Sequence, residues 1–156
     1  MHAGRLCEKL GIRRALVPPG AGVGSAIGFL RAPFSFEATR SVYMKLAQFD
    51  SQRIKTLLDE LQMEASGFVA RCTSDSPIVL EFKAYMRYSG QGWEIPIGLD
   101  ADCAKVPDAA VFESRFTDEY AKLFGRPVAG LDIEVTVWSV NAATTPDAVA
   151  RVPESA

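Results

Sequence analysis

Histidine is nearly missing from this chain, and cysteine is sparse. The one histidine, His2, has no tight carboxylate cluster around it, so it falls short of the three or four ligands a protein metal site needs, and no metal is expected. Cys7, Cys72 and Cys103 are odd in number and far apart. They form neither a CxxC knuckle nor a disulfide framework and read as reduced packing residues. His2 and Cys7 lie five positions apart, whereas residues on a common helix face are three or four apart, so a nucleophilic Cys-His pair is set aside. No apolar run approaches the roughly 20 residues that cross a bilayer. The opening "MHAGRLCEKLGIRR" lacks the basic, apolar and cleavage regions of a signal peptide. No membrane partner is expected, and the location expected is cytoplasmic. There is also no excess of basic charge: 17 Lys and Arg stand against 19 Asp and Glu, for a net charge of -2. Without a Lys/Arg block to follow a phosphate backbone, nucleic acid is not an expected partner.

Apolar residues are plentiful. With 156 residues and 48% of them hydrophobic, the chain has enough material for one core, with room for a short appendage. Residues 5–10 read as the end of a helix that Gly11 closes. "IRRALVP" then reads as a short buried strand stopped by Pro18 and Pro19, which offer no donor to a ladder. From Val23 to Leu30, small residues alternate with larger apolar ones, as in a short, closely packed helix. Phe34, Phe36 and Ala38 alternate with Ser35, Glu37 and Thr39 in the period-2 manner of a strand. Asp50 and Ser51 are candidate caps of a helix whose stripe is Ile54, Leu57, Leu58, Leu61, Ala65, Phe68 and Val69. Ile78 to Tyr88 alternates over a long strand that ends at "SGQG", and Trp93, Ile95 and Ile97 read as its return. A second helix follows Pro107 and Asp108, with Phe112, Phe116, Tyr120, Leu123 and Phe124 on one face, and stops at Gly125. Leu131, Ile133, Val135 and Val137 alternate with Asp132, Glu134 and Thr136 in a last strand. The expected fold is therefore α+β, in the βαββαβ order of ferredoxin-like folds: an antiparallel sheet with two helices on one face. Residues 142–156 are expected to be a flexible tail.

Two stretches invite a chemical reading. "VPPGAGVGSAIGF" looks like a phosphate loop, yet neither GxGxxG nor a Gly-Lys-Ser/Thr is present. Its glycines then serve a strand-to-helix turn and close packing. Around the hairpin, "YMRYSGQGWE" gathers Tyr85, Arg87, Tyr88, Gln91, Trp93 and Glu94. A guanidinium, an amide and a carboxylate together can orient a planar polar substrate; the alternative is an exposed hairpin with an Arg87–Glu94 cross-strand pair.

Four segments taken together resemble one family: "MHAGRLCEKLGIRRALVPPGAGVGSAIGFL", "RYSGQGWEI", "FTDEYAKLFGR" and "LDIEVTVWSV". They look like the C-terminal end of the hydantoinase A/5-oxoprolinase family, which includes the acetone and acetophenone carboxylase subunits. The resemblance implies that residues 1–31 are a helix-strand-helix remnant of an actin-like ATPase lobe, with His2 adjacent to the nucleotide, and that residues 32–141 form a C-terminal α+β domain. ATP and Mg would belong to the parent enzyme and none would bind this chain alone, because the Gly-Gly-Ala-Gly-Pro and Asp-Gly-Gly-Thr loops of the family lie outside it. The implied partners are the remainder of the ATPase chain and a hydantoinase B-type subunit. The implied function is that of a C-terminal fragment or split subunit of a cyclic-amide hydrolase or ketone carboxylase, not competent by itself. Arg87, Tyr88, Gly90, Gln91 and Glu94 match the family pattern, and Arg87, Tyr88, Gln91 and Glu94 are the candidate substrate-binding or interdomain residues, whereas Tyr85 and Tyr120 stand where many members have Asp and His. No catalytic residue is assigned. The alternative is a stand-alone ferredoxin-like module for small-ligand binding or dimerisation.

Overall fold

A computed structural model of the chain describes residues 2–73 and 76–145. Residues 33–145 make one compact unit, and residues 2–32 belong to another.

In the smaller unit, helix α1 (Ala3–Leu10) ends at Gly11, whose φ of 66° lets the backbone turn back on the helix. The Gly11 and Ile12 amides donate to the Glu8 and Cys7 carbonyls at 3.4 and 2.9 Å, the paired bonds of a Schellman cap. The strand expected at "IRRALVP" is not formed. A strand exists only through a partner ladder, and none of the described residues pairs with this segment, where Leu16 is 92% exposed. After Pro18 and Pro19 the chain passes through one tight helical turn (Ala21–Val23) into α2 (Gly24–Arg31). Gly20 has a φ of 77°, a left-handed backbone that any side chain would strain, and a β-carbon there would also displace the Ile27 Cδ1, 2.9 Å away. Gly24 and Gly28 have no atom within 4 Å of where a β-carbon would sit, so the close packing expected around them is not seen. No residue from 2 to 32 is buried.

The larger unit holds the core. Strand β1 (Ser35–Lys45) leads to α3 (Ser51–Cys72), then β2 (Ile78–Tyr88), β3 (Ile95–Leu99), a short α4 (Ala101–Lys105), α5 (Ala109–Phe124) and β4 (Ile133–Thr144). The sheet order is β1-β4-β2-β3, antiparallel throughout, so each strand-helix-strand unit is split by a strand of the other. The helices begin where the aspartates allow: the Asp50 Oδ1 accepts from the Arg53 amide at 3.0 Å, and the Asp108 Oδ1 from the Ala110 amide at 2.8 Å. α5 stops at Gly125, whose φ is 85°. α4 was not expected; Asp100 caps it by accepting from the Cys103 amide at 2.8 Å. The short edge strand β3 carries Pro96, which ends the ladder on that side.

Both helices lie on one face of the sheet. Ile54, Leu58, Leu61, Ala65 and Val69 of α3, with Phe112, Phe116 and Tyr120 of α5, meet Ala84, Met86, Val135, Trp138 and Val140 from the strands. Phe68 is half exposed but stacks on Phe36 at 4.3 Å. Leu123 and Phe124 are exposed and lie outside the core, with Phe124 against Tyr120 at 4.5 Å. Trp93 is outside β3 and 76% exposed, because the return strand starts only at Ile95.

The largest departure is in β4. Opposite β2, Tyr85 faces Val137 while Met86 faces Val135, so Thr136 is an extra residue, and its hydroxyl donates to the Tyr85 carbonyl at 3.2 Å. This bulge reverses the alternation. Ile133 and Val135 point into the core before it and Trp138, Val140 and Ala142 after it, so Val137 loses the core position that simple alternation assigns to it. β4 also continues through Thr144, whose amide donates to the Phe34 carbonyl at 2.9 Å. Residues 142–144 are therefore sheet and not tail, and residues 146–156 lie outside the described ones.

Deleting residues 1–32 should leave a folded protein with a cooperative thermal transition by circular dichroism; an unfolded spectrum would refute the division at Pro33. Trp138 is fully buried, its Nε1 donates to the Val42 carbonyl at 3.1 Å, and its ring lies 5.6 Å from Phe112. Trp138→Ala should cost about 3–5 kcal/mol in urea unfolding, whereas Trp93→Ala should stay within about 0.5 kcal/mol.

Candidate functional site

Arg87 lies near the end of β2 on the face away from the helices, directly opposite Glu134 of β4. The Arg87 Nε donates to the Glu134 Oε2 at 3.1 Å, and the Tyr43 hydroxyl donates to the Oε1 at 2.9 Å. Glu94, reached through the hairpin, places its Oε1 3.7 Å from the Arg87 Nη1. Beside them Lys45 pairs with Asp132 at 2.8 Å, and the Ser89 amide donates to the Asp132 carbonyl at 2.7 Å.

Glu134 is only 5% exposed although α3 and α5 pack on the opposite face of the sheet. The Ser89 hydroxyl bond holds its carboxyl below the usual glutamate range, with further help from Tyr43 and Arg87; burial opposes them and loses. The same contact pushes the Tyr43 phenol up, since losing its proton would set an anion against a carboxylate.

The four hairpin candidates divide into two pairs, with Arg87 and Glu94 meeting on the outer face. Adjacent residues of a strand point to opposite faces, so Tyr88 lies on the helix side. Its hydroxyl accepts from the Val128 amide at 3.1 Å, and its ring sits edge-on to Phe116 and Tyr120 at 4.9 and 4.8 Å. Gln91 joins it there, its Nε2 donating to the Tyr120 hydroxyl at 2.9 Å and its amide to the Tyr88 carbonyl at 3.0 Å. The hairpin end is thus pinned on both faces of the sheet. Tyr43 and Glu134 were missed from sequence because their meeting with Arg87 depends on strand order and register. The one local hint was a carboxylate in the middle of an apolar strand.

Chemically, the outer cluster is a guanidinium held between two carboxylates. Arg87 is 28% and Glu94 30% exposed at the side chain, leaving one open edge with a donor and an acceptor side by side, a match for a planar amide. A phosphate fits it poorly, because each nearby cation already has a carboxylate partner. His2 is exposed and starts α1 without a side-chain capping bond. Among the described residues no group of three or more His, Cys, Asp or Glu could hold a metal ion, and a β-carbon on Gly20 would meet the Ile27 Cδ1. No helix of the described residues is long and apolar enough to cross a membrane.

The fold is found in solved structures of larger proteins. ATP-dependent caprolactamase from Pseudomonas jessenii matches 99% of this chain with a TM-score of 0.68 and 20% identity, using 25% of its own length. Acetone carboxylase, in a nucleotide-free structure from work on ATP-dependent acetone carboxylation, matches 89% with a TM-score of 0.72 and 20% identity, using 22% of its length. This chain shares their fold. In sequence it is 29% identical over 112 residues to the uncharacterized protein MJ0964 of Methanocaldococcus jannaschii, which spans 69% of this chain and 15% of that protein. The chain thus corresponds to a quarter or less of each of these proteins. No family model matches the sequence.

Replacing Glu134 tests the cluster. A carboxyl depressed on folding stabilises the protein above its ordinary pKa, near 4.5, and this contribution is lost as pH falls through the depressed value. Glu134→Gln should therefore lower stability at pH 7, and its deficit against the parent should shrink steadily below about pH 4.5 in urea titrations. A deficit independent of pH would show that the carboxylate is not held as described.

Proposed function

We infer that this chain is the C-terminal part of an ATP-dependent enzyme of the hydantoinase/oxoprolinase type, which opens a cyclic amide or carboxylates a ketone. The observation that carries this reading is the fold shared with ATP-dependent caprolactamase over 99% of the chain. The ordered sequence segments that resemble the hydantoinase A/5-oxoprolinase family support it independently. In this reading residues 1–31 complete an actin-like ATPase lobe, with His2 near the nucleotide. ATP and Mg are held by polypeptide beyond this chain, and a hydantoinase B-type subunit completes the assembly. The Arg87–Glu94 edge serves as a substrate or interdomain contact, with Tyr88 and Gln91 holding the hairpin in place. The chain alone then turns over no ATP.

The test is to measure phosphate release from ATP by the chain alone and by the chain co-expressed with the polypeptide encoded immediately upstream. Caprolactam, 5-oxoproline, hydantoin and acetone with bicarbonate would be offered in turn. Activity is expected only in the second case, stimulated by one of these compounds, and the upstream frame should encode a Gly-Gly-Ala-Gly-Pro loop. ATP turnover by the chain alone, or an unrelated upstream gene, overturns the reading. The open donor-acceptor edge at Arg87 and Glu94 favours a second reading, a stand-alone module that binds a small amide; calorimetric binding of such an amide by the chain alone, lost in Arg87→Ala, would mark it.

A further inference from the structure

Among the described residues, strand β2 has two neighbours only along Phe82–Met86, where β3 lies, and from Ile78 to Glu81 it pairs with β4 alone. β3 leaves the ladder at Leu99 because the Asp100 cap turns the chain into α4. Beside this one-sided stretch is a half-open cleft of about 310 Å³, walled by Ile78, Leu80 and Phe82 of β2, Leu58 of α3, and Ala101 and Ala104 of α4. Two independent features therefore coincide: an unpaired strand edge, and an apolar hollow lined by inward side chains of that same strand.

We propose that this edge and cleft dock an extended, uncharged peptide segment of a partner protein, which adds a strand beside Ile78–Glu81 and seats one bulky apolar side chain between α3 and α4. Strand addition draws affinity from main-chain hydrogen bonds and selectivity from pockets that accept alternate side chains, and both elements are present. The size of the site argues for a peptide. Four edge residues offer a second copy far less than the roughly 800 Å² per partner of a stable interface. The cleft volume sits at the bottom of the range of roughly 300–1,000 Å³ for small-molecule pockets. The rim argues for an uncharged segment: Asp59 is paired with Lys55, Lys105 with Asp102 at 3.8 Å, and the remaining polar lining residue is Gln62. This site is separate from the Arg87 cluster and does not depend on the enzyme reading above.

The experiment titrates isotope-labelled full chain with the capped hexapeptide Gln-Thr-Phe-Thr-Leu-Thr, and with the same peptide carrying lysine for phenylalanine, while amide shifts are followed by NMR. Saturable shifts confined to residues 78–81 and 101–105 are expected with the first peptide. Binding should weaken at least about tenfold with the lysine peptide and with Ala101→Phe, which fills the cleft from an exposed position. If Ala101→Phe does not keep the parent melting temperature, Gln62→Trp blocks the same cleft from α3. The proposal is overturned by an absence of saturable shifts at millimolar peptide, by unchanged binding to the blocked variant, or by shifts centred elsewhere. Self-association of the free chain that Val79→Lys abolishes would also overturn it, since a second copy would then occupy the edge.

Discussion

The structure depends on one extra residue in a central strand. β4 lies between β1 and β2, and Thr136 has no counterpart in β2. A one-residue slip moves every following side chain to the other face of a sheet. Without it, Glu134 would share a face with Trp138 and Val140 and carry a carboxylate into the apolar core. With it, Glu134 turns to the face that holds Arg87 and Tyr43, and Ile133 and Val135 turn inward in its place. The bulge satisfies the core and the charged cluster together, and the Thr136 hydroxyl bond to Tyr85 ties it to its neighbour.

The two faces near this bulge divide the work of holding the hairpin. On the outer face a buried carboxylate keeps its charge because three donors reach it, and charge-assisted bonds offset a desolvation that would otherwise raise its pKa. On the inner face Tyr88 sits edge-on to Phe116 and Tyr120, and the Gln91 amide closes the turn onto α5. Arg87 and Glu94 therefore present their open edge from a rigid support, as a binding contact requires.

The smaller unit stands in contrast. It is built from well-formed local pieces, a Schellman-capped helix and a glycine turn closed on Ile27, yet Leu16, Phe29 and Leu30 remain exposed, and Phe29 is 83% accessible. So many exposed apolar side chains are uncommon on a unit folded by itself. The solved structures that share this fold carry it as about a quarter of their length.

Much was legible in the sequence wherever the cause is local. The stripe of α3, the long alternation of β2, the Asp50 and Asp108 caps and the Gly125 stop follow from helical and strand periodicity and from the hydrogen bonds that free amides need. The sequence by itself determined these elements and their order. Tertiary structure alone decided that "IRRALVP" stays unpaired, that Val137 yields its place to Trp138, and that the Arg87–Glu94 pair gains Glu134 and Tyr43 while Tyr88 and Gln91 pass to the other face. The physical reason is common to all three: a strand's pairing, register and facing depend on a neighbour distant in sequence, and no local pattern records which neighbour that is.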